Sequence, residues 1–192
     1  MIQHKLYLVR HGQTEDNVAE RLTGQRDSAL TPLGEAQAVA NGHLLKTMVD
    51  AAACDFVASP LGRARRTMEL VRGAMGLSPT DYRTDARLME ADYGDSHGRP
   101  WAEAHAIRKA SANGDAWNTP HPGGESRAQL YARAVAFLLS LQRDTVVVSH
   151  GGPVRMIRGA LLKLDNDEIV GFAALNAGVI EISAAGERLH GR

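Results

Sequence analysis

The stretch Leu6-Tyr7-Leu8-Val9-Arg10-His11-Gly12 decides how the rest of the chain is read. Leu6 to Val9 is an unbroken apolar run containing strand-forming Tyr and Val, as in a strand covered on both faces. A parallel strand buried in this way hands the residues after it to the carboxyl edge of its sheet, where open α/β folds bind ligands. Here those residues are a fixed positive charge, an imidazole able to act as base or nucleophile, and a glycine that permits a sharp turn.

The same logic recurs along the chain. Thr145-Val146-Val147-Val148 runs into Ser149-His150-Gly151-Gly152, and Asp55-Phe56-Val57-Ala58 leads to Ser59-Pro60-Leu61-Gly62-Arg63. Parallel strands share one exit edge, so Arg10, His11, Arg63 and His150 are expected to converge. Cations and imidazoles gathered in a cleft suit a dianionic phosphoryl group.

Between these strands lie helical patterns. Thr31-Pro32 is a helix start, Thr as capping oxygen and Pro at the first helical position. Ala36, Val39, Ala40, Leu44 and Met48 then give one apolar face. Further helices are expected from about Leu61 to Gly76, Trp101 to Ala112, Ser126 to Leu141 and Pro153 to Leu164, with a short one within Gln13 to Glu20. Pro79 to Thr84 reads as a weak strand, and Ile169 to Ile182 as one or two edge strands around Asn176-Ala177-Gly178. Strands alternating with helices predict an α/β fold, a three-layer α/β/α sandwich with a mostly parallel central sheet. No repeat or linker interrupts residues 1–192, so one domain is expected. Its irregular excursion at 85–125, rich in Asp, Gly, His and Pro, is expected to act as cap or lid.

The chain has 192 residues, with 22 basic and 22 acidic side chains and a formal net charge of zero. That balance argues against nucleic acid or an anionic membrane as partner, since both usually require a basic excess. Cys54 is the only cysteine, so no internal disulfide can form, and its Ala-rich setting suggests a small buried filler. No secretory signal pattern and no apolar run of membrane-spanning length is seen, so a cytoplasmic location is expected. No pair of histidines has a compact metal-ligand spacing, and no metal or other cofactor is expected.

Leu8-Val9-Arg10-His11-Gly12-Gln13-Thr14, then Leu30-Thr31-Pro32-Leu33-Gly34 and Ser59-Pro60-Leu61-Gly62-Arg63-Ala64, resemble the histidine phosphatase superfamily, which holds the cofactor-dependent phosphoglycerate mutases and their phosphatase relatives. Leu88-Met89-Glu90 with Tyr93-Gly94, and Ser149-His150-Gly151-Gly152, continue the match in order. The resemblance runs from about Leu6 to Arg155. It implies His11 as the nucleophile, oriented by a backbone carbonyl near Gly12, since a neutral imidazole can attack phosphorus and form a phosphohistidine. It implies Arg10 and Arg63 as phosphate clamps and His150 as a further contact to the transferring group. Glu90 is the implied general acid, supplying the proton that a leaving alkoxide needs. Asn17, Thr23 and Gly24 are expected to add phosphate donors, as is Gly151 at the start of the following helix. His97 and His121 lie in loops that could face the pocket, while Trp101 and Trp117 read as packing residues of the cap. Where many members read Gly-x-Trp-Glu-Gly after the acid, this chain has Gly94-Asp95-Ser96-His97-Gly98.

The expected activity is metal-independent hydrolysis of a phosphorylated small molecule. Two alternatives are a cofactor-dependent phosphoglycerate mutase and a non-catalytic phosphate-binding regulatory module. The spacing from Glu90 to His150 leaves little room for the longer insertions of mutases. A homodimer formed through the final strand is a further possibility.

Overall fold

A computed structural model describes residues 4–112 and 114–191. A six-stranded sheet runs through it in the order β3-β2-β4-β1-β5-β6. The strands are β1 (Leu6–Arg10), β2 (Asp55–Ala58), β3 (Arg83–Thr84), β4 (Thr145–Ser149), β5 (Val179–Ser183) and β6 (Gly186–His190). β1 and β2 both pair with β4 in parallel, and β3 extends the parallel half from β2. β5 and β6 complete the sheet antiparallel, which makes it mixed.

The unbroken apolar runs have a simple cause. Side chains alternate across a strand. Leu6 and Leu8 point to one face, with Val57 and Val147; Tyr7 and Val9 point to the other, with Phe56, Val146 and Val148. The first face packs against α5 (Arg127–Leu138) and α6 (Gly151–Leu162) through Leu130, Phe137 and Ile157. The second packs against α2 (Pro32–Met48) and α3 (Gly62–Met75) through Leu45, Met68 and Val71. With both faces covered, the apolar positions of β1, β2 and β4 are stabilised by burial, about 1.5–3 kcal/mol per fully buried Leu or Val. Cys54 is buried beside this second core, and burial pushes its thiol up to about 12.

Local signals place the helices. Thr31 accepts the Gly34 N–H at 3.1 Å and Pro32 occupies the first turn of α2. Gly76 closes α3 in the left-handed conformation, φ 84°. Thr14 and Asn17 bond reciprocally to start the short α1 (Glu15–Val18). The excursion at 85–125 contains two single 3-10 turns and α4 (Trp101–Ala112).

Several boundaries differ from the sequence reading. α5 stops at Leu138 rather than Leu141, where Ser140 turns back to bond the Phe137 carbonyl at 2.6 Å. α6 begins two residues early, at Gly151. The weak strand over Pro79 to Thr84 shrinks to Arg83–Thr84. The tail holds an unforeseen helix, α7 (Asn166–Gly171), because Asp165 and Glu168 form a capping box. Ile169 therefore lies in a helix, and the edge strands fall later than expected. No helix among the described residues is long and apolar enough to cross a membrane.

Candidate active site

Register brings the strand exits together. Arg10 pairs with Ser149, and Ala58 with Val148, so β1, β2 and β4 end level. The ladder continues one step beyond, with His11 N–H donating to the Ser149 carbonyl and Ser59 N–H to the Val148 carbonyl, both at 2.9 Å. His11 and His150 thus emerge side by side, ring centroids 5.1 Å apart.

His11 is 3 % exposed. Its Nδ1 lies 2.7 Å from the Gly12 carbonyl, which can only accept, so Nδ1 carries the proton. Arg63 Nε donates to His11 Nε2 at 3.3 Å, so Nε2 carries the lone pair. The two bonds select one tautomer, with the unprotonated nitrogen toward the arginine. Burial, then the Arg10 and Arg63 charges, hold the His11 pKa well below the usual imidazole range. The turn behind His11 is pinned by Thr67 Oγ1, which accepts Gly12 N–H at 3.1 Å, and by Asn176, whose Nδ2 donates to the His11 carbonyl at 2.7 Å. Gly12 and Gly34 meet backbone to backbone there, and a Cβ on either would overlap the other strand of chain.

Arg63, in the first turn of α3, is also buried. Its two terminal nitrogens donate to the Arg26 and Gly24 carbonyls, each at 2.6 Å, tying the Thr23-Gly24 loop to His11. Arg10 Nη1 donates to the Ala174 carbonyl at 2.7 Å, while its Nε is buried with no protein partner. His150 Nε2 lies 2.8 Å from Ser59 Oγ, and its Nδ1 is likewise buried and unpartnered. Buried polar atoms are normally bonded, so these two stand out beside His11. Burial and the charges of Arg63 and Arg10, with His11 between them, hold the His150 pKa well below its usual range.

Glu90 closes the opposite side. Its carboxylate accepts Gly152 N–H, at 3.1 Å to Oε1 and 3.3 Å to Oε2, and Ala91 N–H at 2.8 Å. It therefore caps the amino end of α6, whose dipole favours negative charge. A Cβ on Gly152 would overlap the carboxylate, so only glycine admits this approach. The Glu90 backbone is fixed by Arg133 and Gln25, which donate to its carbonyl at 3.0 and 3.1 Å. Ser149 Oγ, from the end of β4, holds the Leu88 carbonyl at 2.7 Å just before it.

Around these groups lies a cleft of about 770 Å³ including its mouth. Arg10, His11, Asn17, Thr23, Gly24, Arg63, Glu90 and Gly151 all line it. His150 lies behind the lining, against His11. Arg21, Tyr93, Trp101 and Arg155 line it too, and the sequence reading gave none of them a site role. Trp101 has its Nε1 bonded to the Arg21 carbonyl at 2.9 Å, at the rim. His97 does not face the cleft: its Nε2 accepts Tyr93 N–H at 2.9 Å, so it braces Tyr93 from behind. His121 faces a neighbouring cavity, with Nδ1 2.9 Å from Ser96 Oγ. Trp117 packs against Tyr131 in the core. Among the described residues no group of three His, Cys, Asp or Glu side chains could hold a metal ion.

His11 and His150, both held well below the usual imidazole range in the fold, take up protons more readily on unfolding. Unfolded histidines titrate near pH 6.5. Below that value the unfolded chain takes up more protons than the folded one, so stability present above about pH 6.5 is lost as the pH falls. Each imidazole adds up to about 1.4 kcal/mol per pH unit to the slope. Urea titrations between about pH 7 and pH 5 should show the midpoint falling, and His150→Gln should flatten that fall. Equal slopes for the two proteins would remove His150 from the account.

A parallel-centred α/β sheet with a cleft lined by Arg10, His11 and Arg63 at its carboxyl edge defines the class of protein. Its family follows from comparison with known proteins: the model of the histidine phosphatase superfamily (branch 1) matches residues 6–191, and the chain belongs to that family. Among curated relatives, it is 36% identical over 184 residues to a 2,3-bisphosphoglycerate-dependent phosphoglycerate mutase of Methylocella silvestris, covering 87% of this chain and 85% of that one. It is 36% identical over 181 residues to a glucosyl-3-phosphoglycerate phosphatase of Mycobacterium tuberculosis, covering 85% of this chain and 78% of the relative. The mycobacterial glucosyl-3-phosphoglycerate phosphatase solved with VO3 superposes with a TM-score of 0.78 at 33% identity, over 98% of both chains.

Proposed function

We propose that the protein hydrolyses phosphomonoesters of small metabolites through a phosphohistidine at His11, with no cofactor. The observation that carries this reading is the unprotonated His11 Nε2, held beside Arg63 in a cleft closed by Glu90.

In the first step Nε2 attacks phosphorus, the bond from phosphorus to the ester oxygen breaks, and Glu90, having taken up a proton from solvent as the phosphoryl dianion entered beside it, gives that proton to the ester oxygen. Arg10, Arg63 and His150 hold the three phosphoryl oxygens, and Arg63 Nε turns from His11 to the anion as it arrives. Donors from Asn17 and from the Thr23, Gly24 and Gly151 backbone add to the cradle. In the second step water attacks the phosphoryl group, Glu90 takes the proton from water, and the phosphorus–nitrogen bond breaks to restore the Nε2 lone pair. The Gly12 carbonyl bonds Nδ1–H throughout and stabilises the imidazolium character that develops.

The mutase named among the relatives is the second reading. A mutase must shield its phosphoenzyme from water. Here the cover is one short helix with loops, and Trp101 at the rim is 37% exposed, which supports access by water. The test is phosphate release from p-nitrophenyl phosphate measured beside conversion of 3-phosphoglycerate to 2-phosphoglycerate. Release is expected to dominate. Isomerisation outrunning release would install the mutase, and neither activity would leave a phosphate-binding module.

A further inference from the structure

The bond that sets the His11 tautomer runs from Nδ1 to the Gly12 carbonyl at 2.7 Å. That carbonyl belongs to the peptide joining Gly12 to Gln13. The N–H of the same peptide donates to Gln37 Oε1 at 2.9 Å. Gln37 is half-buried in the second turn of α2. A planar trans peptide sends its C=O and N–H in opposite directions. Gln37, the peptide and the imidazole therefore form one chain of hydrogen bonds.

The residue between the two peptides explains why such a hold is needed. The Gly34 backbone comes so close to Gly12 that no Cβ fits there. A glycine leaves the planes on both its sides free to turn. Three side chains from three segments remove that freedom. Thr67 Oγ1 of α3 accepts the Gly12 N–H, and Asn176 Nδ2 donates to the His11 carbonyl, so the plane before Gly12 is fixed at both polar atoms. Gln37 fixes the plane after it. The start of α2 holds the next carbonyl as well, with Thr31 N–H donating to Gln13 at 2.9 Å. Of the three side chains, Gln37 alone shares a peptide with the oxygen that accepts Nδ1–H.

Hydrogen bonds in series polarise one another. An acceptor on the Gln13 N–H makes the Gly12 oxygen a better acceptor for Nδ1–H. We propose that Gln37 is a positioning residue for the nucleophile: through the Gly12–Gln13 peptide it keeps the proton on Nδ1 and the lone pair on Nε2. It takes the part of the group that orients a histidine from behind, delivered through backbone rather than by direct contact. No proton moves along the chain. Nδ1 keeps its hydrogen while Nε2 forms and breaks its bond to phosphorus, and the polarised carbonyl meets the positive charge that spreads over the ring in between. A benefit to turnover rests on the phosphohistidine reading above; control of the tautomer does not.

Isotope-labelled histidine reports the tautomer directly, through nitrogen spectra of the imidazole ring, with His11→Ala identifying the His11 signals. The unaltered protein should show Nδ1 protonated and Nε2 bare. Gln37→Met keeps the length of the side chain without its acceptor, and should add a population with Nε2 protonated. The same variant should slow phosphoenzyme formation in a single turnover of p-nitrophenyl phosphate by about tenfold or more, the scale of a misplaced reacting group. Its affinity for inorganic phosphate should change little, because Arg10 and Arg63 stay in place. Gln37→Glu restores an acceptor and should recover the single tautomer and most of the rate. Gln37→Ala gives a second reading should methionine not pack. The ring signals come from folded molecules, so partial unfolding does not mimic the result. A purely structural role would lower stability and leave the ring signals unchanged. One Nδ1-protonated ring in both Gln37→Met and Gln37→Ala, or an unchanged single-turnover rate, overturns the proposal. Phosphate release by the unaltered protein is scored separately: no release from any ester, with the tautomer still shifted in Gln37→Met, would overturn the hydrolase reading and leave the tautomer control standing.

Discussion

His11→Ala is expected to lower phosphate release by on the order of 10⁴-fold or more, the scale on which a covalent route collapses when its nucleophile is lost. The cause is local. Nε2 is the unprotonated nitrogen, its tautomer fixed by the Gly12 carbonyl on one side and Arg63 on the other. Alanine leaves the clamps in place, so binding of phosphate should persist while the covalent step disappears. The direct readout is the adduct: enzyme quenched during turnover of labelled substrate should carry an acid-labile phosphoryl group that His11→Ala lacks. An adduct of equal yield in the variant would assign the nucleophile elsewhere.

Arg63→Gln should rank next, with a loss of about 10²–10³-fold in kcat/KM, as when one charge-stabilising donor is removed. Arg63 has two tasks. In the proposed reaction its guanidinium faces the transferring group, and in the structure it fastens the Gly24 and Arg26 carbonyls to α3. Losing those bonds leaves the buried Gly24 carbonyl unpaired, at about 1–3 kcal/mol of stability. Arg63→Lys should restore little, because one ammonium cannot span both carbonyls while keeping a donor on the imidazole. Steady-state kinetics and urea unfolding on the same samples separate the two tasks. Full activity in Arg63→Gln would show that the guanidinium is a structural tie alone.

What could be read in the chain was decided by burial. β1, β2 and β4 carry apolar runs because helices cover both faces, so their exits, and the grouping of Arg10, His11, Arg63 and His150, followed from local runs. Thr31-Pro32 placed the start of α2 for the same local reason. Contacts between distant segments left no such trace. Nothing near Asn176 hints that its amide reaches the His11 carbonyl, or that Ser59 Oγ meets His150. Thr67 stood one turn beyond Arg63 and could have been suspected. The Asp165 to Glu168 capping box was present as a signal, but the apolar Ile169-Val170 behind it reads equally well as strand. His97 lies in a loop that could face the pocket; the backbone instead turns its ring onto Tyr93 N–H. The cavity that His121 faces joins α4, α5 and α6, which no sequence period connects.

The position of β4 between β1 and β2 has a consequence for how the molecule comes into being. On the ribosome the two flanking strands emerge long before the one that unites them, and until then β1 has no lasting neighbour and β2 only the two-residue β3. The helices α2 and α3 can form early from nearby residues, but the sheet must wait for a distant segment to thread between strands already made. The nascent amino-terminal half therefore exposes sticky, unpaired edges for much of synthesis, and the cleft comes into existence only as the last third of the polypeptide arrives.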